Sequence, residues 1–151
     1  MKKAAFFDID GTLIDASVGM IEPSERVRAA LQRLKDAGIR IPSMLAVDIE
    51  AERIVKEYIE GKTVFDFVRD GVSMEPYLPQ VRVMAAQARS HGLNIDYFPT
   101  NFVARDGMIW YVDYECNDYM EEWDFEHWGS KYWSRTPEFE EYLKRSKHDH
   151  V

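Results

Sequence analysis

Three polar side chains in the second half of the sequence are of types that suit phosphate chemistry. Asp96 and Asn101 stand five residues apart in the segment NIDYFPTNF, with Pro99 between them. Asp113 follows in the apolar run IWYVDYE. Carboxylate and amide oxygens are ligands for Mg²⁺, and a carboxylate can accept a proton from a hydroxyl. The pattern therefore leaves two alternatives, a phosphoryl-transfer site or unrelated polar residues of a loop.

A second acidic group lies in the segment FFDIDGTL. Asp8 and Asp10 end an apolar run and are followed by Gly11. Residues two apart on a strand point to the same side, so the two carboxylates can share one Mg²⁺. Alternatively, one can attack phosphorus while the other moves a proton. A turn rich in aspartate, with Gly11 at positive φ, is the structural alternative.

This segment resembles motif one of the haloacid dehalogenase-like hydrolases, which is Asp-x-Asp-Gly-Thr-(Leu/Val) after an apolar strand. The resemblance covers about residues 1–40. It implies that Asp8 is a nucleophile and Asp10 a general acid/base, and that both can bind metal. The family also needs a Ser/Thr after its second strand and a lysine, and neither has a clear match here. Asp113 and Asp118 are the candidates for its downstream acidic pair.

Several predicted elements must position these residues, and together they indicate an α+β fold. A helix is predicted from Pro23, with Gly38 as its C-terminal cap. Two strands, IRIPSMLAVD and RIVKEYIEG, come next, joined by an acidic turn. A short helix that stops at Gly71 and a longer one that ends at Gly92 follow. The segment FVARDGMIWYVDYE predicts a hairpin, because RDG is a turn signal between two apolar runs.

The order of helix, Asp-x-x-x-x-Asn loop, hairpin and second aspartate resembles the C-lobe of a small protein-kinase-like phosphotransferase. In such kinases the loop aspartate accepts the proton of the substrate hydroxyl, while the asparagine and the later aspartate hold magnesium. The resemblance thus implies Asp96 as base, with Asn101 and Asp113 as metal ligands. The segment VDYE is closer to the Asp-(Phe/Trp/Tyr)-Glu form of the choline and aminoglycoside kinases than to Asp-Phe-Gly.

The kinase-like resemblance extends upstream and covers about residues 38–145. The segment RIVKEYIEGKTVFDFV resembles the last N-lobe strand, the hinge and the first C-lobe helix of such kinases. It implies that backbone groups of Glu57, Tyr58 and Ile59 bind adenine. ATP and Mg²⁺ are the cofactors that this resemblance implies.

Two features depart from the kinase pattern. Asn94 stands where a histidine usually precedes the catalytic aspartate. The sequence also has no glycine-rich phosphate loop and no lysine strand of the V-A-I-K type. A strand over 3–8 and a helix over 23–37 take the places of the lysine strand and the αC helix. A pairing of Lys3 with Glu25 would imitate the lysine–glutamate ion pair of kinases.

Composition limits the partners. The chain has 151 residues with 27 acidic and 19 basic side chains, and its formal charge is −8. Such a charge repels nucleic-acid backbones and anionic membranes, so neither is a predicted partner. Cys116 is the single cysteine, which excludes an internal disulfide and favours a reducing, cytoplasmic location. The apolar runs are too short for a signal peptide or a membrane span.

The sequence thus predicts an α+β protein of three parts. These are a dehalogenase-like strand-loop-helix segment over 1–40, a kinase-like hinge and C-lobe over 41–145, and a frayed tail over 146–151. The predicted function is a Mg²⁺-dependent phosphotransferase that is incomplete or inactive, because its phosphate loop and lysine strand are missing. A phosphohydrolase with Asp8 as nucleophile and a non-catalytic interaction module are the alternatives. Predicted partners are a nucleotide and a small phosphorylated or hydroxyl compound; a small alcohol, an aminoglycoside and a protein hydroxyl remain open as acceptors.

Overall fold

A computed structural model describes residues 4–8, 23–48, 50 and 53–149 of the chain. Within these residues the fold is α+β, as the sequence predicted, and it contains small antiparallel sheets and four α-helices. The elements in chain order are β1 (Ala4–Asp8), α1 (Pro23–Asp36), β2 (Met44–Asp48), β3 (Arg53–Glu57), β4 (Lys62–Thr63), α2 (Val64–Arg69), α3 (Leu78–Ser90), β5 (Leu93–Ile95), β6 (Phe102–Arg105), β7 (Met108–Tyr111), β8 (Cys116–Asp118) and α4 (Pro137–Asp149).

The first sheet has the strand order β1-β3-β2, so β3 is its central strand. Both neighbours pair with β3 in the antiparallel sense, and Ala5 and Met44 are the register partners of Lys56. All strand pairs among the described residues are antiparallel. The described part of the chain therefore does not contain the parallel sheet that a dehalogenase-like core requires.

Two further sheets surround the loops of interest. The strands β4, β6 and β7 form one of them, and β6 and β7 are the predicted hairpin. Its turn places Asp106 at φ 53° and Gly107 at φ 79°, as a tight left-handed connection requires. The second sheet pairs β5 with β8 and was not predicted. It brings the residues before Asp96 next to the residues after Asp113.

The apolar side chains of helix α1 face the core. In α1, Val27, Leu31 and Leu34 are buried on one face, and the chain leaves the helix at Gly38 with φ 78°. The backbone N–H of Ile39 then donates to the carbonyl of Leu34 at 3.1 Å, which satisfies a helix-end acceptor. The helix α3 begins at Leu78, after a turn that occupies residues 75–77.

Aromatic side chains after the hairpin complete the core. Phe125, Trp133 and Phe139 are buried, and the Trp133 indole N–H donates to the carbonyl of Tyr97 at 2.8 Å. This segment consists of two short 3-10 turns and α4 rather than continuous helix. The helix α4 continues through Asp149, so residues 146–149 are helical where a frayed tail was predicted. No helix within the described ranges combines the length and apolar character needed to cross a membrane.

Candidate functional site

Asp96 begins the loop between β5 and β6, directly after the last residue of β5. Its Oδ1 atom accepts a hydrogen bond from the backbone N–H of Phe98 at 3.1 Å. A 3-10 turn, Pro99–Asn101, then closes the loop, and the Asn101 amide donates to the carbonyl of Asp96 at 3.4 Å. The five-residue spacing thus becomes a compact turn in which Asn101 folds back onto Asp96.

Asp113 follows the hairpin strand β7 and lies beside this loop. The backbone N–H of Val112 donates to the carbonyl of Asn101 at 2.9 Å. The Asp113 Oδ1 atom accepts from the backbone N–H of Glu115 at 3.2 Å, which turns the chain back toward β8. The structure therefore brings Asp96, Asn101 and Asp113 together, because β7 pairs with β6 and returns the chain to the loop.

Tyr111 joins the two loops and was not singled out by the sequence. Its hydroxyl accepts from the backbone N–H of Asp96 at 3.0 Å and donates to the carbonyl of Glu115 at 2.7 Å. The side chain is fully buried, and this burial raises the pKa of the Tyr111 hydroxyl well above its ordinary value. The neutral Tyr111 hydroxyl thereby links Asp96, at the start of the loop between β5 and β6, to Glu115.

We expect Tyr111→Phe to lower the free energy of unfolding by about 1–3 kcal/mol, because two partly buried backbone groups lose their partner. Urea denaturation monitored by circular dichroism measures this change. Tyr142→Phe is the matched control, since that ring packs against Phe65 and Phe98 and its hydroxyl has no hydrogen-bond partner among the described residues. A Tyr111→Phe protein with unaltered stability would show that the hydroxyl does not hold the loops.

The loop between β5 and β6 and the segment after β7 place the carboxyl groups of Asp96, Asp113 and Glu115 close to one another. Burial raises the pKa of the Asp96 carboxyl, the hydrogen bond from Phe98 opposes that shift, and the charge of Asp113 adds to it. Burial also raises the pKa of Glu115, and Asp113 contributes there too. The charge of Asp113 thus disfavours ionisation of Asp96 and Glu115, and a bound cation would relieve that repulsion.

The donor set at this junction suits magnesium better than a transition metal. Asp113 and Asn101 offer a carboxylate and an amide oxygen, which are ligands that Mg²⁺ accepts beside water and substrate phosphates. No cluster of three or more His, Cys, Asp or Glu ligands occurs in the described part of the chain. A site of this kind needs a phosphorylated ligand to complete the coordination, as in nucleotide-dependent enzymes.

Lys56 brings a positive charge to the same place. It lies on the central strand β3 and is only 4% exposed. Its ammonium donates to the carbonyl of Val112 and lies 4.8 Å from the centre of the Tyr114 ring. Burial lowers the pKa of the Lys56 ammonium to about 8, and the charge of Asp113 opposes that shift. The sequence did not predict a kinase role for Lys56, because its partner Val112 lies 56 residues further along the chain.

The predicted hinge residues continue directly from Lys56. Glu57 ends β3, and its backbone N–H donates to the carbonyl of Ser43 at 2.7 Å. Tyr58 is exposed, whereas Ile59 is buried in the core. The segment thus leaves the first sheet and reaches β4 close to the loop that carries Asn101.

A cavity of 480 Å³ opens beside Asp96. Trp123 is 51% exposed and stands edge-on to Trp128 at a ring distance of 5.7 Å. Asn94 is a buried member of the lining, and its amide donates to the carbonyl of Met120 at 2.8 Å. The complete lining consists of Asn94, Ile95, Asp96, Glu115, Asn117, Asp118, Met120, Trp123 and Trp128.

The second predicted site is only partly within the described residues. Asp8 is the last residue of β1 and is paired in register with Arg53 of β3. The side chain of Asp8 and the whole of Asp10 lie outside the part that the structure describes. Their roles as nucleophile, acid/base or metal ligands therefore remain predictions.

Comparison with known proteins gives one informative similarity. No protein-family model matches the chain. The KEOPS complex subunit Bud32 of Pyrococcus abyssi is 29% identical to it over 97 residues. The match covers 62% of this chain and 44% of Bud32, so the chain spans less than half of that relative's length. Bud32 is an atypical protein-kinase-like protein, so this similarity and the α+β architecture support a kinase-like fold for the chain. The similarity gives no support to a dehalogenase-like segment.

Proposed function

We propose that this chain is a kinase-like, Mg²⁺-dependent phosphotransferase module that transfers the terminal phosphoryl group of ATP to a hydroxyl. The observation that carries the proposal is the convergence of Asp96, Asn101 and Asp113 through bonded loops, with Asp96 lining a cavity of 480 Å³. The similarity to Bud32 supports the same class of fold. The adenine site would lie at Glu57–Ile59, where β3 leaves the sheet.

Asp96 is the proposed base because it borders the cavity in which an acceptor would sit. Its Oδ1 atom is already oriented by the N–H of Phe98, which fixes the carboxylate relative to the loop. An acceptor hydroxyl within hydrogen-bond reach of the carboxylate would pass its proton to Asp96 as the oxygen attacks phosphorus. Burial raises the pKa of this carboxyl, which favours proton uptake and suits the task of a base.

Asn101 and Asp113 are the proposed magnesium ligands. Asn101 and Asp113 would hold the metal, whose chemistry would be to neutralise negative charge on the phosphates. The chain's own contribution is to hold both ligands in place. The backbone bond from Val112 to Asn101 and the turn from Asp113 to Glu115 perform this function.

The cavity lining restricts the acceptor. Asp96, Glu115 and Asp118 contribute negative charge, and Trp123 and Met120 contribute exposed apolar surface. An anionic acceptor would be repelled from this lining, whereas a neutral or positively charged hydroxyl compound would not. A small alcohol, an aminoglycoside and a hydroxyl side chain of a protein all meet this requirement.

Binding and transfer assays on the purified chain test the proposal. We expect Mg-ATP to bind with a dissociation constant on the order of 100 μM or weaker, because the glycine-rich loop that covers the phosphates in kinases is missing. An NMR titration with and without Mg²⁺ measures it, and transfer of labelled terminal phosphate to hydroxyl compounds measures turnover. A chain that binds no ATP at millimolar concentration would instead be a non-catalytic interaction module.

A further inference from the structure

The side-chain amide of Asn94 is only half satisfied. Asn94 is 5% exposed and lines the cavity of 480 Å³ beside Asp96. Its Nδ2 atom donates to the carbonyl of Met120 at 2.8 Å, whereas its Oδ1 atom has no hydrogen-bond partner within the described ranges of the chain. The bond to Met120 fixes which end of the amide is the acceptor. An acceptor that is buried and unpaired is unfavourable, so a ligand group that pairs with it gains affinity.

We propose that Asn94 selects the occupant of this cavity: its Oδ1 atom accepts a hydrogen bond from a second hydroxyl of a neutral polyol, while the reacting hydroxyl of the same compound lies against Asp96. This inference rests on the proposed function, in which the cavity receives the acceptor of the phosphoryl group. It narrows the open acceptors to compounds with at least two hydroxyls. Asn94 is then a specificity-determining residue and takes no part in the proton transfer.

The position of Asn94 on β5 places it beside the same ligand as Asp96. Residues two apart on a strand point to the same side and are about 7 Å apart. Asp96 directly follows β5, and both residues line the cavity. Asn117, the register partner of Asn94 on β8, lines it as well. The sheet of β5 and β8 thus offers amide and carboxylate groups to a ligand that carries several hydroxyls.

The remaining lining favours a neutral compound with some apolar surface. Trp123 and Trp128 contribute aromatic rings against which the C–H groups of a carbon skeleton can pack. The carboxylates of Asp96 and Glu115 disfavour an anion. An ammonium at the Oδ1 atom of Asn94 would lose its hydration in exchange for one uncharged acceptor, whereas a hydroxyl loses much less. A polyol therefore matches the donor and acceptor chemistry of this cavity.

A structural role for Asn94 is the competing explanation. In that case the hydrogen bond to the carbonyl of Met120 fastens β5 to the segment after β8, and the Oδ1 atom has no function. A structural role predicts no preference for a ligand with a second hydroxyl. Direct contact with the ligand predicts such a preference, because a compound without that hydroxyl leaves the Oδ1 atom unpaired.

Matched ligands and variants of the whole chain separate these explanations. The ligands are 1,2- and 1,4-cyclohexanediol, each compared with the methylcyclohexanol in which a methyl group of similar size replaces one hydroxyl. NMR titrations that follow the Trp123 indole signal give the dissociation constants. Asn94→Leu removes the amide at nearly the same size. Asn117→Leu is the matched control, because Asn117 occupies the opposite register position but is exposed to water.

We expect the parent chain to bind at least one of the two diols. Asn94→Leu should lower the preference for that diol over its methyl analogue by about 10-fold, because the hydrogen bond to the Oδ1 atom is lost. Asn117→Leu should keep the preference of the parent. The comparison of ratios between variants cancels the difference in hydrophobicity between the two ligands.

The possible outcomes are distinct. An equal preference in the parent and Asn94→Leu, an equal loss in Asn94→Leu and Asn117→Leu, or a parent that binds neither diol would overturn the inference. Binding of Mg-ATP by the same parent sample would then leave the proposed function standing. A parent that shows the preference but binds no Mg-ATP would overturn the proposed function and leave Asn94 as the ligand contact of a binding module. Thermal denaturation checks folding, and Asn94→Ala, which also lacks the acceptor, replaces the Leu variant if that variant does not fold.

Discussion

Asp96→Asn is expected to reduce ATP-dependent transfer to a hydroxyl acceptor by at least about 100-fold, because a positioned base contributes roughly that factor or more. Asparagine has the same size and retains the oxygen that accepts from the N–H of Phe98. Burial raises the pKa of the Asp96 carboxyl and so already disfavours its charge, which means that a neutral amide costs the fold little. Binding of Mg-ATP should persist, since the metal ligands are Asn101 and Asp113.

Two further aspartate variants separate the possible classes of protein. Asp8→Asn should leave ATP-dependent transfer unchanged, and Asp70→Asn, at the exposed end of α2, controls for the loss of one negative charge. Hydrolysis of an aryl phosphate without ATP, lost in Asp8→Asn, would refute the kinase-like assignment and establish the phosphohydrolase. A parent chain without either activity would indicate the interaction module, and all three substitutions would then be silent.

Local signals made much of the fold predictable. The hairpin of β6 and β7 rests on the RDG turn between two apolar runs, and the turn conformation depends on Asp106 and Gly107 themselves. The helix α1 was predictable for the same reason, because the apolar positions and the glycine that ends it are neighbours in sequence. Such features need no knowledge of distant residues.

Pairings between distant residues were not predictable in this way. The strands β5 and β8 have three residues each and pair across about twenty intervening residues, with Ile95 opposite Cys116. Strands of this length carry no period-two pattern that can be distinguished from a loop. Their pairing is a result of tertiary packing, yet it forms one wall of the cavity beside Asp96.

In the candidate site, too, local spacing was predictable and contacts between distant residues were not. The spacing of Asp96, Asn101 and Asp113 was visible because a resemblance supplied the pattern. Tyr111 and Lys56 were missed because their partners are defined only after folding, at the backbone of Asp96 and at the carbonyl of Val112. A buried tyrosine or lysine in an apolar strand has no sequence signal that separates a site residue from a core residue.

Asp113→Asn is the variant with the second large expected effect. We expect ATP binding to lose its Mg²⁺ dependence and transfer to fall by at least about 100-fold. The reason is that charge stabilisation by a metal is worth several kcal/mol. Its effect on stability should be small. The substitution removes the repulsion between Asp113 and Asp96, but it also removes the attraction between Asp113 and Lys56. Asp70→Asn is again the control for the loss of one negative charge, and it should bind Mg-ATP like the parent.

An electrostatic signature of Asp113→Asn can be measured even without turnover. In the parent, burial and Asp113 both raise the pKa of Asp96, so protonation of Asp96 begins at a higher pH than for an ordinary aspartate. A raised pKa means that acidification through that value relieves an unfavourable charge in the folded state. Without the charge of Asp113, the pKa of Asp96 should fall, but only in part, since burial is the larger cause. NMR titration of the Asp96 carboxyl carbon measures the change; an identical titration curve in Asp113→Asn would show that the two carboxylates do not share one site.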